Sequence, residues 1–192
     1  MTTTISNSNL TAQINHLGAE LFSLQNQANK EYIWEGNPAF WGKHSPVLFP
    51  IVGTLKNGFY HHNGIAYQLS RHGFARDMEF TLSEKSENSA TFSLISSDET
   101  RKVYPFDFEL KISYTLSENK LIIGYNIINN NNCVMPFSIG AHPAFALPKP
   151  FEEYSLAFEY PENLTSFELE NYLLSDKSPT IDMIETQVPL TH

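Results

Sequence analysis

An all-β fold, an antiparallel β-sandwich, is predicted for this sequence by three observations. Apolar and polar residues alternate wherever a period is readable. At least eight strand-like segments occur, separated by Asn, Gly, Ser and Pro. No segment carries a sustained 3.6-residue apolar stripe, which disfavours folds with crossover helices. Because no internal repeat or linker is found, residues 1–192 are expected to form a single domain.

The clearest strands form a predicted antiparallel hairpin over residues 106–129. In the segment FDFELKISYTL, apolar residues such as Phe108 and Leu110 alternate with polar ones, as in a half-buried strand. The segment SENK then turns the chain, and LIIGYNIINN returns with Leu121 and Ile123 on one face.

The remaining elements are predicted from shorter versions of the same pattern. Ser97 or Asp98 can cap a short helix that ends before Pro105. Alternation is lost after Pro161, so that part is either a loop-rich flank or an incomplete sheet. The other predicted strands are Thr2–Ile5, Leu10–Ile14, Glu20–Gln25, Ala66–Leu69, Glu79–Ser83, Ala90–Ser96 and Tyr154–Tyr160.

The composition favours a small uncharged ligand over a polyanion. Hydrophobic residues make up 41% of the chain, which is enough for a core, and the formal net charge is -9. The sequence has no Lys/Arg clusters, so nucleic acid and anionic membrane surfaces are not expected as partners.

The sequence indicates a cytoplasmic protein. Its first residues have neither a basic nor an apolar signal region, and no stretch approaches the roughly 20 apolar residues of a membrane span. Cys133 is the single cysteine, so no internal disulfide is expected, which fits a reducing compartment.

Three segments combine Gly or Pro with aromatic and polar residues: SPVLFPIVGTLKNGFY, RHGFAR and SIGAHPAF. The first contains Lys56. In the second, His72 precedes Gly73, and two arginines supply planar donors that suit sugar hydroxyls or phosphate. In the third, His142 lies between Gly140 and Pro143, with Phe145 as a stacking surface. The arginines are Arg71 and Arg76.

Two histidines in similar settings can serve opposite sides of one substrate atom, because imidazole exchanges protons near neutrality. The alternative is that both are ordinary structural histidines. H-x-H, H-E-x-x-H and C-x-x-C patterns are absent, so a metal site is rejected. Serine hydrolase, P-loop and dinucleotide-binding patterns are also absent. We expect no cofactor.

The segments LFPIVG, RHGFARDMEF, YPFDFELKISYTL and PFSIGAHPAF, in this order, resemble the aldose 1-epimerase (galactose mutarotase) family, in particular its LacX-like branch. The resemblance runs from about Ile14 to the end of the chain. It implies a galactose mutarotase-like β-supersandwich with a sugar in a cleft on its concave face. The partner would be an aldose or a sugar phosphate.

The resemblance also implies roles for individual residues. His142 would be the general acid on the ring oxygen of the sugar, and His72 would bind and polarise the same oxygen. Arg76 would line the cleft, with Arg71, Lys56 and Phe145 as further substrate-binding candidates. Ring opening by proton transfer would then interconvert the α and β anomers without a cofactor or a covalent intermediate.

Two departures from the family pattern bear on this interpretation. Thr54 stands where the branch often has an arginine, which leaves Lys56 as a substitute. The family's glutamate base lies beyond the final PLTH, and family members are roughly half as long again. We therefore expect a fragment or shortened relative, the N-terminal two thirds of the family domain. A bare sheet edge would then favour pairing with another chain, such as a homodimer.

Three functions are consistent with the sequence. The first is an isomerase of aldose anomers whose full activity depends on the absent glutamate. The second is a non-catalytic carbohydrate-binding or regulatory module that keeps the same cleft. The third is a structural β-sandwich whose histidines fill the core.

Overall fold

The computed structural model describes residues 1–191, and strands dominate it. The described chain forms two compact units, Met1–Ala146 and a second that begins at Leu147. The all-β fold class is therefore confirmed. The assignment of residues 1–192 to one domain stays a prediction.

The first unit is built on two antiparallel sheets, and the most regular strands of these sheets alternate between buried and more exposed positions. The strands of the first unit are β1 (Thr2–Ser6), β2 (Leu10–Asn15), β3 (Leu21–Asn26), β4 (Val47–Leu48), β5 (Phe59–His62), β6 (Ile65–Gln68), β7 (Thr81–Lys85), β8 (Ser89–Ile95), β9 (Phe108–Ser117), β10 (Lys120–Asn129) and β11 (Gly140–Ala141). One sheet has the strand order β1-β2-β3 and the other has the order β10-β9-β8-β7.

The predicted hairpin is confirmed. Strands β9 and β10 pair from Lys120↔Ser117 to Asn129↔Phe108 without a register shift. Alternate residues of β9, from Phe108 to Leu116, are buried. Each such side chain contributes about 1.5–3 kcal/mol through removal of apolar surface from water.

The two sheets share one hydrophobic core, as a sandwich requires. Ile5 and Ile14 from the first sheet belong to the same buried cluster as Phe92 and Leu110 from the second. The buried hydroxyl of Tyr114 donates a hydrogen bond to the carbonyl oxygen of Ala19 at 2.7 Å, which ties β9 to the turn before β3. The core thereby fixes the scaffold on which the loops lie.

One α-helix, α1 (Asp98–Val103), occurs in the described chain where the sequence predicts it. The hydroxyl of Ser97 accepts from the N–H of Thr100 at 3.3 Å, and the hydroxyl of Thr100 accepts from the N–H of Ser97 at 2.8 Å. This reciprocal cap satisfies two otherwise unpaired N–H groups. Short 3₁₀ segments occupy Lys56–Gly58 and Ala75–Asp77.

The second unit consists of short ladders in place of long strands. The predicted strand Tyr154–Tyr160 is shortened to three residues, and a 3₁₀ turn, Phe151–Glu153, precedes it. Its strands, β12 (Ser155–Ala157), β13 (Leu164–Thr165), β14 (Leu169–Glu170), β15 (Leu173–Leu174), β16 (Thr180–Ile181) and β17 (Gln187–Pro189), form two-stranded ladders in the pairs β12-β17, β13-β16 and β14-β15. Loss of alternation after Pro161 thus corresponds to a loop-rich segment.

Among the described residues, none of the helices has the length and apolarity needed to cross a membrane.

Candidate functional site

The buried two-residue strand β4 brings the two histidine segments together. Val47 and Leu48 pair with Ala141 and Gly140 of β11. The next residue, Phe49, forms a parallel bridge with Gly73. Both histidine segments are therefore anchored to the β4 segment through main-chain contacts. His142 directly follows the residues that pair with β4, and His72 directly precedes Gly73.

The turn at Gly73 depends on the absence of a side chain. Gly73 has φ +70°, and a Cβ there would overlap the carbonyl group of Phe49 and lie 2.7 Å from Cδ of Pro50. The same Phe49 carbonyl accepts from the N–H groups of Phe74 at 3.0 Å and Ala75 at 3.2 Å. The chain thus passes close to β4 and turns, which leaves the preceding His72 at the surface of the sandwich.

His142 is held by β4 and by an aromatic neighbour. Its N–H donates to the carbonyl of Pro46 at 3.2 Å. Its ring lies 5.0 Å from the ring of Trp41, centroid to centroid, with the planes tilted by 39°. Glu20 positions the loop that carries Trp41, because its Oε1 accepts from the N–H groups of His44 at 2.8 Å and Ser45 at 3.0 Å.

These segments enclose a cavity of about 210 Å³ within the first unit. The ring centroids of His72 and His142 are 6.3 Å apart across it. Since a hydrogen bond from a ring nitrogen spans about 2.9 Å, one oxygen atom can lie within reach of both imidazoles. The lining residues are Trp41, Pro46, Leu48, Arg71, His72, Arg76 and His142.

A larger cavity of about 610 Å³ lies elsewhere in the first unit, beside Leu10, Leu24 and Tyr32. It is lined by amide and apolar side chains and the phenol of Tyr32, and by no imidazole, carboxylate or guanidinium group. The smaller cavity is the candidate site because it holds groups that can transfer protons.

His72 is surrounded by hydrogen-bond donors. The N–H of Gly53 donates to Nδ1 at 3.0 Å, and Nε of Arg71 lies 3.1 Å from Nε2. A neutral imidazole accepts at only one nitrogen, so these two donors compete. Desolvation lowers the pKa of His72, and the positive charges of Arg71 and Arg76 lower this pKa further. The ring is therefore kept neutral near pH 7.

Arg76 is fixed at the rim of the cavity. Its Nη2 donates to the carbonyl of Arg71 at 3.0 Å. Asp77 forms ion pairs with Arg76, at 3.4 Å from Nε, and with Lys43 at 3.1 Å. No carboxylate lines the cavity among the described residues. Arg76 therefore presents a guanidinium in a defined orientation.

Two residues that the sequence suggested for the substrate lie outside this lining. Lys56 is exposed in the 3₁₀ segment Lys56–Gly58. Phe145 is 61% exposed, and its main chain forms a bridge with Ile33. Trp41 was missed, although its position among Gly and Pro in the segment NPAFWGKHSP offered a signal similar to that of the histidine segments.

Within residues 1–191, no group of three or more His, Cys, Asp or Glu side chains is arranged to hold a metal ion.

Known proteins are similar to this chain in sequence and in fold. A model of the aldose 1-epimerase family matches residues 1–173. Protein LacX of Lactococcus lactis subsp. lactis is 36% identical over 196 residues, an alignment that covers 95% of this chain and 66% of LacX.

Two solved structures resemble the fold closely. A galactose mutarotase related enzyme from Lactobacillus acidophilus has a TM-score of 0.93 at 35% identity, covering 100% of this chain and 65% of that one. A galactose mutarotase-like protein from Lactobacillus casei has a TM-score of 0.93 at 36% identity, covering 99% and 67%. These structures confirm the predicted galactose mutarotase-like β-sandwich, of which this chain spans about two thirds.

Proposed function

The chain belongs to the aldose 1-epimerase family, and from this premise we propose that it binds an aldose between His72 and His142 and interconverts the α and β anomers. The observation that carries the proposal is the placement of both imidazoles, 6.3 Å apart, on one cavity of about 210 Å³. The third hypothesis, histidines that fill the core, is disfavoured because His142 is exposed and His72 is only partly buried.

Anomer exchange requires only proton transfers around the hemiacetal carbon. The O1 hydroxyl loses its proton to a base, the C1–O5 bond breaks, and O5 receives a proton from an acid. Rotation about C1–C2 followed by closure in the reverse sense gives the other anomer. His142 is proposed as the acid on O5, and His72 as the donor that polarises the same oxygen.

The hydrogen bonds of His72 support this role. The main-chain N–H of Gly53 can only donate, so Nδ1 of His72 must be the acceptor in this hydrogen bond. The proton of the neutral ring then resides on Nε2. In that tautomer Nε2–H faces the guanidinium of Arg71, and two donors oppose each other. An oxygen acceptor from a sugar relieves this conflict by accepting from both groups.

No residue that lines the cavity is assigned as the base that removes the O1 proton. Asp77 is engaged by Lys43 and Arg76, and Glu20 is engaged by two main-chain N–H groups. This observation favours a second candidate function, a carbohydrate-binding module that holds the sugar without turnover. The two functions predict different results when a carboxylate is supplied. An isomerase accelerates anomer exchange, whereas a binding module does not.

Mutarotation of freshly dissolved α-D-galactose, followed by polarimetry or NMR, tests the proposal. We expect acceleration over the spontaneous rate, and a further increase when formate is added as an external base. The matched control is His142→Ala, which should lose about 10²–10⁴-fold of the acceleration. Saturable binding without acceleration, with or without formate, would establish the binding module. Absence of both binding and acceleration would refute both functions.

A further inference from the structure

The larger cavity, of about 610 Å³, shares no lining residue with the cavity of the two histidines. It lies where three turns of the first unit meet: the turn between β1 and β2, the turn that follows β3, and the turn between β9 and β10. The proposed anomer exchange makes no use of it. A cavity of this size with mixed polar and apolar lining is in the range that binds small molecules.

Asn7 fastens the three turns to one another. Its Oδ1 accepts from the N–H groups of Asn9 at 2.9 Å and Leu10 at 2.8 Å, within the first turn. Its Nδ2 donates to the carbonyl oxygen of Glu118 at 3.0 Å, in the turn before β10. From the turn after β3, Nε2 of Gln27 donates to the carbonyl oxygen of Asn7 at 3.4 Å. The rim of the cavity is therefore held in place by the fold, which lowers the entropic cost of binding a ligand there.

Side-chain amides dominate the polar lining, and two of them are open to a ligand. Asn26 is engaged, because its Oδ1 accepts from two N–H groups of its own turn and its Nδ2 donates to the hydroxyl of Tyr32 at 3.3 Å. Asn9 and Asn119 are exposed, and within residues 1–191 their side-chain amides make no hydrogen bond. Each amide can both donate and accept, so these two suit a ligand whose groups do the same. The four lining amides are Asn9, Asn26, Gln27 and Asn119.

Apolar side chains form most of the remaining lining. Leu10 is buried, and Leu24, Leu121 and Tyr32 are partly buried and pack against the core of the first unit. Nζ of Lys30 lies 5.3 Å from the ring centroid of Tyr32, but Lys30 is outside the lining. The lining thus contains no ionisable side chain except the phenol. A charged ligand would lose hydration there without gaining a counter-charge, so an uncharged ligand is favoured.

We propose that this cavity is a second binding site, separate from the histidines, which takes an uncharged oligosaccharide. Sugar hydroxyls both donate and accept, as the amides of Asn9 and Asn119 do, and the C–H faces of sugar rings can pack on leucine and tyrosine side chains. The volume of about 610 Å³, against about 210 Å³ for the cavity proposed to hold one sugar, leaves room for more than one ring. This inference does not depend on the proposed anomer exchange.

An uncharged peptide is the other ligand that combines donors with acceptors. Peptides are often bound through unpaired main-chain groups, as when a strand is added to a sheet edge. Here the N–H groups of Asn9, Leu10 and Ala28 are already bonded to asparagine side chains of their own turns. The donors and acceptors that remain are separate side-chain amides, which favours discrete hydroxyl groups over a peptide backbone.

Side-chain amide NMR of the nitrogen-labelled chain, titrated with maltotriose, cellotriose or raffinose, tests the proposal. Raffinose has no hemiacetal, so it cannot undergo anomer exchange at the histidines. For at least one trisaccharide, we expect the NH₂ signals of Asn9, Asn26 and Asn119 to shift with one common dissociation constant. The NH₂ signals of Asn130, an exposed residue after β10, should stay constant.

A variant series locates the sugar. Asn9→Ala and Asn119→Ala should each weaken trisaccharide binding about two- to tenfold, as expected for the loss of one hydrogen bond. Asn130→Ala is the matched control and should leave the affinity unchanged. Asn119→Asp keeps the shape of the side chain but removes its donor, and it provides a second reading if the alanine variant unfolds. Equal effects of Asn119→Ala and Asn130→Ala would refute the assignment.

The remaining outcomes separate this inference from the proposed function. A double variant, His72→Ala with His142→Ala, should retain trisaccharide binding, because the two cavities share no residue. Loss of that binding would place the sugar at the histidines and refute the second site while the proposed function stands. Constant asparagine signals with all three trisaccharides would also refute the second site. Tighter binding of an uncharged capped trialanine than of every trisaccharide would make the cavity a peptide site and refute the saccharide.

Discussion

Gly73→Ala tests how the chain brings His72 to the cavity. The added Cβ overlaps the carbonyl group of the fully buried Phe49, and it lies 2.7 Å from Cδ of Pro50. The backbone at Gly73 has φ +70°, a region that costs a residue with a side chain about 1–2 kcal/mol. Overpacking against a rigid core adds about 1–3 kcal/mol. We therefore expect the free energy of unfolding to fall by about 2–5 kcal/mol.

Gly64→Ala is the matched control. Gly64 also has a positive φ, +79°, but nothing lies within 4 Å of the position that its Cβ would take. It should therefore show only the backbone cost of about 1–2 kcal/mol. Urea unfolding followed by circular dichroism measures both variants, with the slope m checked for constancy. A loss for Gly73→Ala no larger than that for Gly64→Ala would refute the close approach of Gly73 to Phe49.

Three further predictions concern the histidines and the helix cap. His72→Ala and His142→Ala should weaken sugar binding or anomer exchange with a nearly unchanged melting temperature; a large loss of stability from both would identify core histidines instead. Because the pKa of His72 is lowered by folding, the unfolded chain binds more protons below pH about 6.5, and stability should fall as the pH drops through that range. His72→Asn should reduce this pH dependence of the melting temperature, and an unchanged dependence would contradict the assignment. Ser97→Ala removes the cap of α1 and should cost about 1 kcal/mol in urea unfolding, whereas no measurable loss would show that the cap is dispensable.

Elements with strong local signals were predictable from the sequence. Strand β9 alternates over its whole length because one face packs on the core and the other does not. Helix α1 begins after Ser97 because the cap is encoded within four residues. In both cases the physical cause lies within the segment itself.

Elements that depend on distant partners were less predictable. Strand β4 has two residues between prolines, and its pairing with Gly140–Ala141 has no local signature. His16 directly follows β2 and is only 7% exposed, with Nε2 at 2.8 Å from the hydroxyl of Thr3 on β1. Its burial follows from the pairing of β1 with β2, which a single sequence does not reveal.

The candidate site shows the same division. Gly73 and its neighbouring histidine were recognisable because glycine beside aromatic and basic residues indicates a turn near a ligand. The contact of Trp41 with His142 depends on a loop held by Glu20, and this contact spans three separate segments. Local composition points to Lys56 and Phe145, but it does not determine on which side of the sandwich a loop residue lies.

Nitrogen NMR of the imidazole rings during a sugar titration tests most directly whether His72 and His142 face one ligand. With galactose or galactose 6-phosphate as the titrant, the ring signals of both histidines should shift together and fit one common dissociation constant. The ring signals of His61 on β5, the control, should stay constant. Movement of only one of the two rings, or two different dissociation constants, would contradict a shared site.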